Sequence, residues 1–216
     1  MGRRDHRWTR LAAAVAAVIS LAQPALAKTY TTRSGQQVDL PDRETVLDEP
    51  SISPDGHQVA YVRAAGKRQE FDDPQPSEVV VTDRSTGKSR VIVSSGAGSE
   101  LYSVPVVRVT FAIDGRHLFA ERTFPGTYHT IHEINLATGK ERLLPPTGAD
   151  IAVLRDGPWR GDLLMEVHTC YSTHSGCDYP VHVVTPAGKL VYVVPHSADG
   201  DFELQAWLTK RKWRAW

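Results

Sequence analysis

A strand that ends in Asp-Gly and resumes just beyond it occurs three times in this chain. The first copy reads Ile52-Ser53-Pro54-Asp55-Gly56-His57-Gln58-Val59-Ala60-Tyr61-Val62. The second reads Thr110-Phe111-Ala112-Ile113-Asp114-Gly115-Arg116-His117-Leu118-Phe119-Ala120. The third is looser: Val153-Leu154-Arg155-Asp156-Gly157, then Leu163-Leu164-Met165-Glu166-Val167 after a short insertion. Asp-Gly supplies the φ > 0 positions that a tight hairpin requires. Downstream of each copy lies another strand, Gly turn and strand, centred on Thr86-Gly87-Lys88, Thr138-Gly139-Lys140 and Ala187-Gly188-Lys189. These glycines are 52 and 49 residues apart, and the upstream Asp-Gly glycines 59 and 42. A period of roughly 40–60 residues with four strands in each unit is the spacing of propeller blades. No stretch after Lys28 sustains a helical period. The predicted fold is therefore all-β and β-propeller-like, with units at about residues 49–94, 104–144 and 149–195.

Ser53-Pro54-Asp55-Gly56 followed by Val59-Ala60-Tyr61, with Thr86-Gly87-Lys88 downstream, resembles the WD-like repeats of TolB-type propellers. It also resembles the propeller domains that cover prolyl-oligopeptidase-type peptidases. The resemblance spans roughly residues 49–195. It implies a propeller fold and an envelope-associated scaffold. The second unit departs with Ala112-Ile113 where Ser-Pro is usual, and the third keeps only the Asp-Gly. Propellers of that family carry six or more blades, whereas three complete units occur here.

Both ends of the chain carry strand candidates outside the repeat. Tyr30-Thr31-Thr32 and Gln37-Val38-Asp39-Leu40 flank Ser34-Gly35 and read as a hairpin. Phe202 to Leu208 reads as a strand, Thr209 to Lys212 as a turn and Trp213 to Trp216 as a return strand. The terminal strands 29–40 and 202–216 are thus expected to join into a fourth blade, leaving no open sheet edge. The competing expectation is a truncated remnant of a longer propeller.

The N-terminus reads as a cleaved export signal covering residues 1–27. Arg3, Arg4, Arg7 and Arg10 precede an apolar run from Leu11 to Leu21, and Ala25-Leu26-Ala27 supplies small residues at the cleavage point. The run is too short to cross a bilayer, which takes about 20 apolar residues, and no later segment is long and apolar enough. The expected mature chain, from Lys28, is periplasmic or secreted and has no transmembrane segment. Its net charge is −3 with His neutral, which disfavours holding nucleic acid by its phosphates. An exported chain with two cysteines, Cys170 and Cys177, points to one disulfide between them.

Motifs for catalysis are missing. There is no Gly-x-Ser-x-Gly elbow, no phosphate-binding glycine loop and no His-Glu-x-x-His helix. Asp55, Asp114 and Asp156 each precede a turn glycine and are read as turn formers. His168, Cys170, His174 and Cys177 are spaced like no common zinc module, so no metal and no cofactor are expected. His132 and His182, at equivalent strand positions, are read as filling half-exposed sites rather than forming a ring of ligands. The tail residues Trp207, Lys210, Arg211, Lys212 and Trp213 interleave aromatics with cations and are candidates for contact with a partner. The expected role is that of a non-catalytic binding or scaffold protein contacting a protein or peptide in the envelope. The alternative is a small exported hydrolase using Asp and His from the blade loops.

Overall fold

A computed structural model describes residues 27–41, 44–66, 75–96, 104–123, 129–170, 177–199 and 202–215. The export signal therefore lies outside the described residues except for Ala27, as do His174 and Trp216.

Each repeat folds as a four-stranded antiparallel sheet. The first contains β3 (Ser51–Ile52), β4 (Gln58–Ala64), β5 (Ser77–Asp83) and β6 (Ser89–Ser95) in that order. The second contains β7 (Val106–Phe111), β8 (His117–Thr123), β9 (His129–Asn135) and β10 (Glu141–Leu144). The third contains β11 (Ala149–Val153), β12 (Leu163–Glu166), β15 (Val181–Val184) and β16 (Leu190–Val193). Between β12 and β15 an inserted hairpin pairs β13 (Thr169–Cys170) with β14 (Cys177–Asp178). The three sheets run over residues 51–95, 106–144 and 149–193.

Two of the Asp-Gly turns work as expected in outline and differ in detail. Only the glycines take φ > 0, at 78° for Gly56 and 65° for Gly115. The aspartates act through their side chains. Asp55 Oδ1 accepts the His57 N–H at 3.0 Å, and Asp114 Oδ1 accepts the Arg116 N–H at 2.8 Å. The same device recurs at the downstream turns, where Asp83 accepts the Thr86 N–H at 2.8 Å and Asn135 the Thr138 N–H at 3.1 Å. These hydrogen bonds stabilise the ionised carboxylates, and Ser85 and Thr86 hold the Asp83 carboxyl down at about 2. The third Asp-Gly is used differently. Asp156 pairs with Arg214, and Gly157, at φ 81°, lies under the indole of Trp213.

The blades stack face to face, so their central strands bury both faces. This is why β4 reads Val59-Ala60-Tyr61-Val62 rather than as an alternation. Ala60, Val62, Val79 and Val81 meet Phe111, Leu118, Ala120 and Ile134 between blades one and two. Phe119, Ile131 and Leu144 meet Ile151, Val153, Leu163 and Met165 between blades two and three.

The two ends of the stack are covered by elements outside the repeat. An N-terminal hairpin, β1 (Ala27–Thr31) with β2 (Gln37–Pro41), lays Val38 and Leu40 on Val59, Tyr61 and Val80 of blade one. Among the described residues the C-terminal segment does not form strands. Leu204–Arg211 is an α-helix, α1, which places Trp207 and Leu208 on Leu164, Val181 and Val183 of blade three. The expected fourth blade is therefore not formed. The N-terminal hairpin is a two-stranded sheet by itself, and Ala215 bridges to Leu154 of blade three. Leu204-Gln205-Ala206 and the following basic residues favour helix. Leu204, Trp207, Leu208 and Arg211 share one helical face, and the apolar surface of blade three offers that face a place to pack.

Candidate functional site

The first strand of every blade faces the same recess. A cavity of about 310 Å³ is lined by residues around β3, β7 and β11, by the β1–β2 turn, and by Arg160 and Arg214. The residue directly before each Asp-Gly, namely Pro54, Ile113 and Arg155, lies on its wall. Repeat equivalence thus explains the site: the same position in three hairpins converges on one axis. Two of these side chains are apolar, and the third is a cation.

Among the described residues, four arginines and a single carboxylate, Glu49, line the cavity. Arg33, from the β1–β2 turn, donates to the Ile151 carbonyl at 3.2 Å and lies 3.4 Å from Glu49. Arg155 donates through Nη2 to the Phe111 carbonyl at 3.0 Å, linking blade three to blade two. Burial, and secondarily the neighbouring Arg160 guanidinium, pushes the Arg155 pKa below its usual value. Arg214 forms a two-pronged pair with Asp156, at 2.6 and 3.1 Å. Arg160 is exposed and forms no hydrogen bond or ion pair among the described residues. On the wall, Thr110 is 5% exposed, and its hydroxyl has no hydrogen-bond partner among the described residues.

A second, mixed-charge cluster surrounds the beginnings of the inner strands. Arg108 pairs with Asp48 at 3.0 Å and Glu121 at 3.2 Å, and also with Asp150. His129 Nδ1 lies 2.8 Å from Glu121, and this contact raises the His129 pKa. Burial, together with Asp150 and Glu121, raises that of Glu166. Among the described residues no group of His, Cys, Asp and Glu is arranged to hold a metal ion.

Thr130, His132 and Glu141 have the connectivity of a nucleophile, base and acid. Thr130 Oγ1 is 3.1 Å from His132 Nε2, and His132 Nδ1 is 3.2 Å from Glu141. The geometry is that of a packed core, however. Thr130 and His132 are 1% and 0% exposed, and Arg122 grips both Glu141 oxygens at 2.6 and 3.1 Å. Burial pushes Glu141 up, but the hydrogen bonds from His132 and Arg122 outweigh it and lower its pKa. The expected half-exposure of His132 is thus corrected: its face is closed by blade one. His182 is partly buried, and that burial lowers its pKa.

The other residues singled out in the sequence occupy separate places. Cys170 and Cys177 lie directly opposite each other in the β13–β14 ladder. Of the tail residues, Trp207 is buried and Trp213 half-buried. The Arg211 guanidinium sits 4.2 Å from the Trp207 ring centroid and 5.8 Å from that of Trp213. Lys210 and Lys212 are exposed. The cavity arginines were not anticipated. Aligning Arg155 with Pro54 and Ile113 is the one sequence signal that marks it, because a cation replaces an apolar residue at a repeat-equivalent position.

No family model matches the chain, and no curated protein does. Solved structures do resemble it. A puromycin-hydrolysing peptidase from Mycobacterium tuberculosis aligns with 76% of this chain and 24% of its own, at 20% identity and a TM-score of 0.50. TolB from Acinetobacter baumannii aligns with 76% of this chain and 40% of its own, at 17% identity and a TM-score of 0.45. The β-propeller domain of the Trilobed protease from Pyrococcus furiosus aligns with 74% of this chain and 45% of its own, at 16% identity and a TM-score of 0.43. The first of these likenesses, at a TM-score of 0.50, is one of fold alone, and the chain spans less than half the length of each of these structures. The three blades are propeller-like, and no closed ring is formed among the described residues. No described helix is long and apolar enough to cross a membrane.

Proposed function

We propose that this chain is an exported, non-catalytic binding or scaffold protein that engages a protein or peptide in the cell envelope. The observation that carries the reading is the axial cavity. It is open, its size lies at the lower end of ordinary ligand sites of about 300–1,000 Å³, and its walls come from three blades and the N-terminal turn. Rigid sheets hold those walls in place, which favours recognition over motion. Among the described residues no histidine lines the cavity, and the Thr130–His132–Glu141 set is shut inside the blade stack, so neither supports hydrolysis. Lys210 on α1 and Lys212 just past its end offer a second contact surface, with Trp207, Arg211 and Trp213 as its structural base. A Cys170–Cys177 disulfide would staple the inserted hairpin; in the chain-entropy account, closing so short a loop is worth about 2.5 kcal/mol.

The test is purification of the tagged protein, with its bound material, from a crosslinked envelope fraction. A single stoichiometric protein or peptide, together with an N-terminus at Lys28, is the expected result. Intact Met1 on a cytoplasmic product, or turnover of peptide substrates by the purified chain, would contradict it.

A further inference from the structure

From the charged cluster that joins the three blades beside the cavity, we infer that His129 and Glu121 form a pH-sensitive latch on the cavity walls. Protonated His129 holds the walls together, and its deprotonation lets the Asp150–Ile151 wall move. The inference goes beyond the binding reading above and holds whatever the cavity takes up.

The cluster meets the cavity at three places. Arg108, its central cation, pairs with Asp48, Glu121 and Asp150. Asp48 leads into blade one, Arg108 and Glu121 belong to blade two, and Asp150 lies on the first strand of blade three. The residues that follow Asp48, Arg108 and Asp150 in the chain, namely Glu49, Val109 and Ile151, all line the cavity. Arg33 spans the same junction, 4.0 Å from Asp48 and 3.4 Å from Glu49, and donates to the Ile151 carbonyl at 3.2 Å. A change in the cluster therefore reaches the cavity within one peptide unit.

Glu121 is the pivot. It is 3% exposed. Its Oε2 accepts from Arg108 at 3.2 Å and from the Asp150 N–H at 3.0 Å. Its Oε1 lies 2.8 Å from His129 Nδ1, an atom closed off from solvent. Asp150 is the movable part. Its φ is 52°, in the left-handed region that disfavours a residue with a Cβ, and the β11–β12 register shifts between Ala149 and Ala152. A strained backbone of this kind persists because its neighbours hold it, and here they are Arg108 and Glu121.

The charge balance gives the direction. With His129 protonated, it and Arg108 together face Asp48, Glu121 and Asp150; without that proton Arg108 faces all of them alone. Glu166, directly opposite Ala149 on β12, adds a further carboxylate beside Asp150. The His168 ring stands 6.2 Å from that of His129. The Glu121 contact raises the His129 pKa above its usual 6.5, and burial raises that of Glu166. A group with a raised folded pKa stabilises fully below its unfolded value and loses that contribution as pH rises through the folded one. Both groups thus loosen the cluster as pH rises, and for His129 the window opens above 6.5. His182 has its pKa lowered by burial and titrates with the opposite sign, so a site-resolved readout is required.

The experiment is a two-dimensional NMR titration of the purified protein from about pH 5.5 to 8.5, the range of histidine. It follows the His129 imidazole and the amides of Glu49, Val109, Ile151 and Ile113. The His129 midpoint is expected above the ordinary value of about 6.5, with Glu49, Val109 and Ile151 stepping at the same pH. Ile113 should step with them. At about 3.3 Å per residue it lies roughly 15 Å along the chain from Arg108, beyond the screening length of about 8 Å at physiological ionic strength. Its response therefore reports movement of the wall rather than the field of the imidazolium. His129→Gln, at a partly exposed position, should remove all of these steps. Glu121→Gln should bring the His129 midpoint down to about 6.5 or lower; if that variant does not fold, the wild-type titration decides alone. A wild-type midpoint at or below about 6.5, a silent Ile113, steps that persist in His129→Gln, or steps that follow His168 or His182 instead would each overturn the latch.

Discussion

The two ends of the blade stack solve the same problem with different secondary structure. Blade one and blade three each present an apolar outer face that a closed ring would bury against another blade. A β-hairpin covers the first through Val38 and Leu40, and a helix covers the second through Trp207 and Leu208. The hairpin is small and aliphatic, with a single aromatic, Tyr30, at its edge. The C-terminal cap is aromatic: Trp159, Trp207 and Trp213 stack edge to face, and Tyr192 stacks on Trp159. What the contrast teaches is that a partial propeller behaves like a solenoid. Its repeats need end caps rather than closure, and the caps need not belong to the repeat.

If that comparison is right, the largest effect should come from the aromatic cap. Trp207→Ala is expected to cost about 3–5 kcal/mol in chemical denaturation, and the uncovered face of blade three should make the protein associate in light scattering. A smaller loss from Leu40→Ala, without association, would show that the caps differ in weight as well as in structure. Next comes Gly157→Ala. A Cβ there would lie 2.6 Å from the Trp213 ring, at φ 81°, so a loss of about 2–4 kcal/mol is expected in the same assay. A loss below 1 kcal/mol would mean that Trp213 does not hold the tail to blade three.

The N-terminal cap has a pH signature of its own. Burial pushes the Tyr61 hydroxyl up to about 12, with Glu44 adding to the shift. Because the folded pKa lies above the unfolded value near 10, stability is complete below pH 10 and falls as pH rises toward 12. The loss is at most about 2–3 kcal/mol. Tyr61→Phe should flatten stability over that alkaline range, as read by denaturant titrations at stepped pH; an unchanged slope would place the sensitivity elsewhere. The smallest effect belongs to Gly35→Ala in the β1–β2 turn. Its φ is 79° with open space around it, so only the backbone objects, at about 1 kcal/mol.

The difference between the ends also marks what a sequence reader sees. Blades were legible because Asp-Gly and Thr-Gly-Lys are local devices: the turn residues carry the hydrogen bonds that make the hairpins. The N-terminal hairpin was legible for the same reason, around Ser34-Gly35. The helix was not, because Phe202, Leu204, Ala206 and Leu208 satisfy a period of two, while Leu204, Trp207 and Leu208 satisfy a helical one. The surface of blade three decides between them, and that surface is tertiary. The arginines of the cavity were hidden likewise: Arg33 and Arg155 lie far apart in sequence and meet only through the stacking of blades.

The central claim, that each end caps its own blade and the two do not form one unit, is tested most directly by amide hydrogen exchange on Leu208→Ala. Leu208 is fully buried against blade three. The expected result is faster exchange in α1, β11, β12 and β15, with β1, β2, β4 and β5 unchanged. Matching acceleration in β1 and β2 would mean that the two ends share a single cooperative element, and the independent-cap account would be wrong.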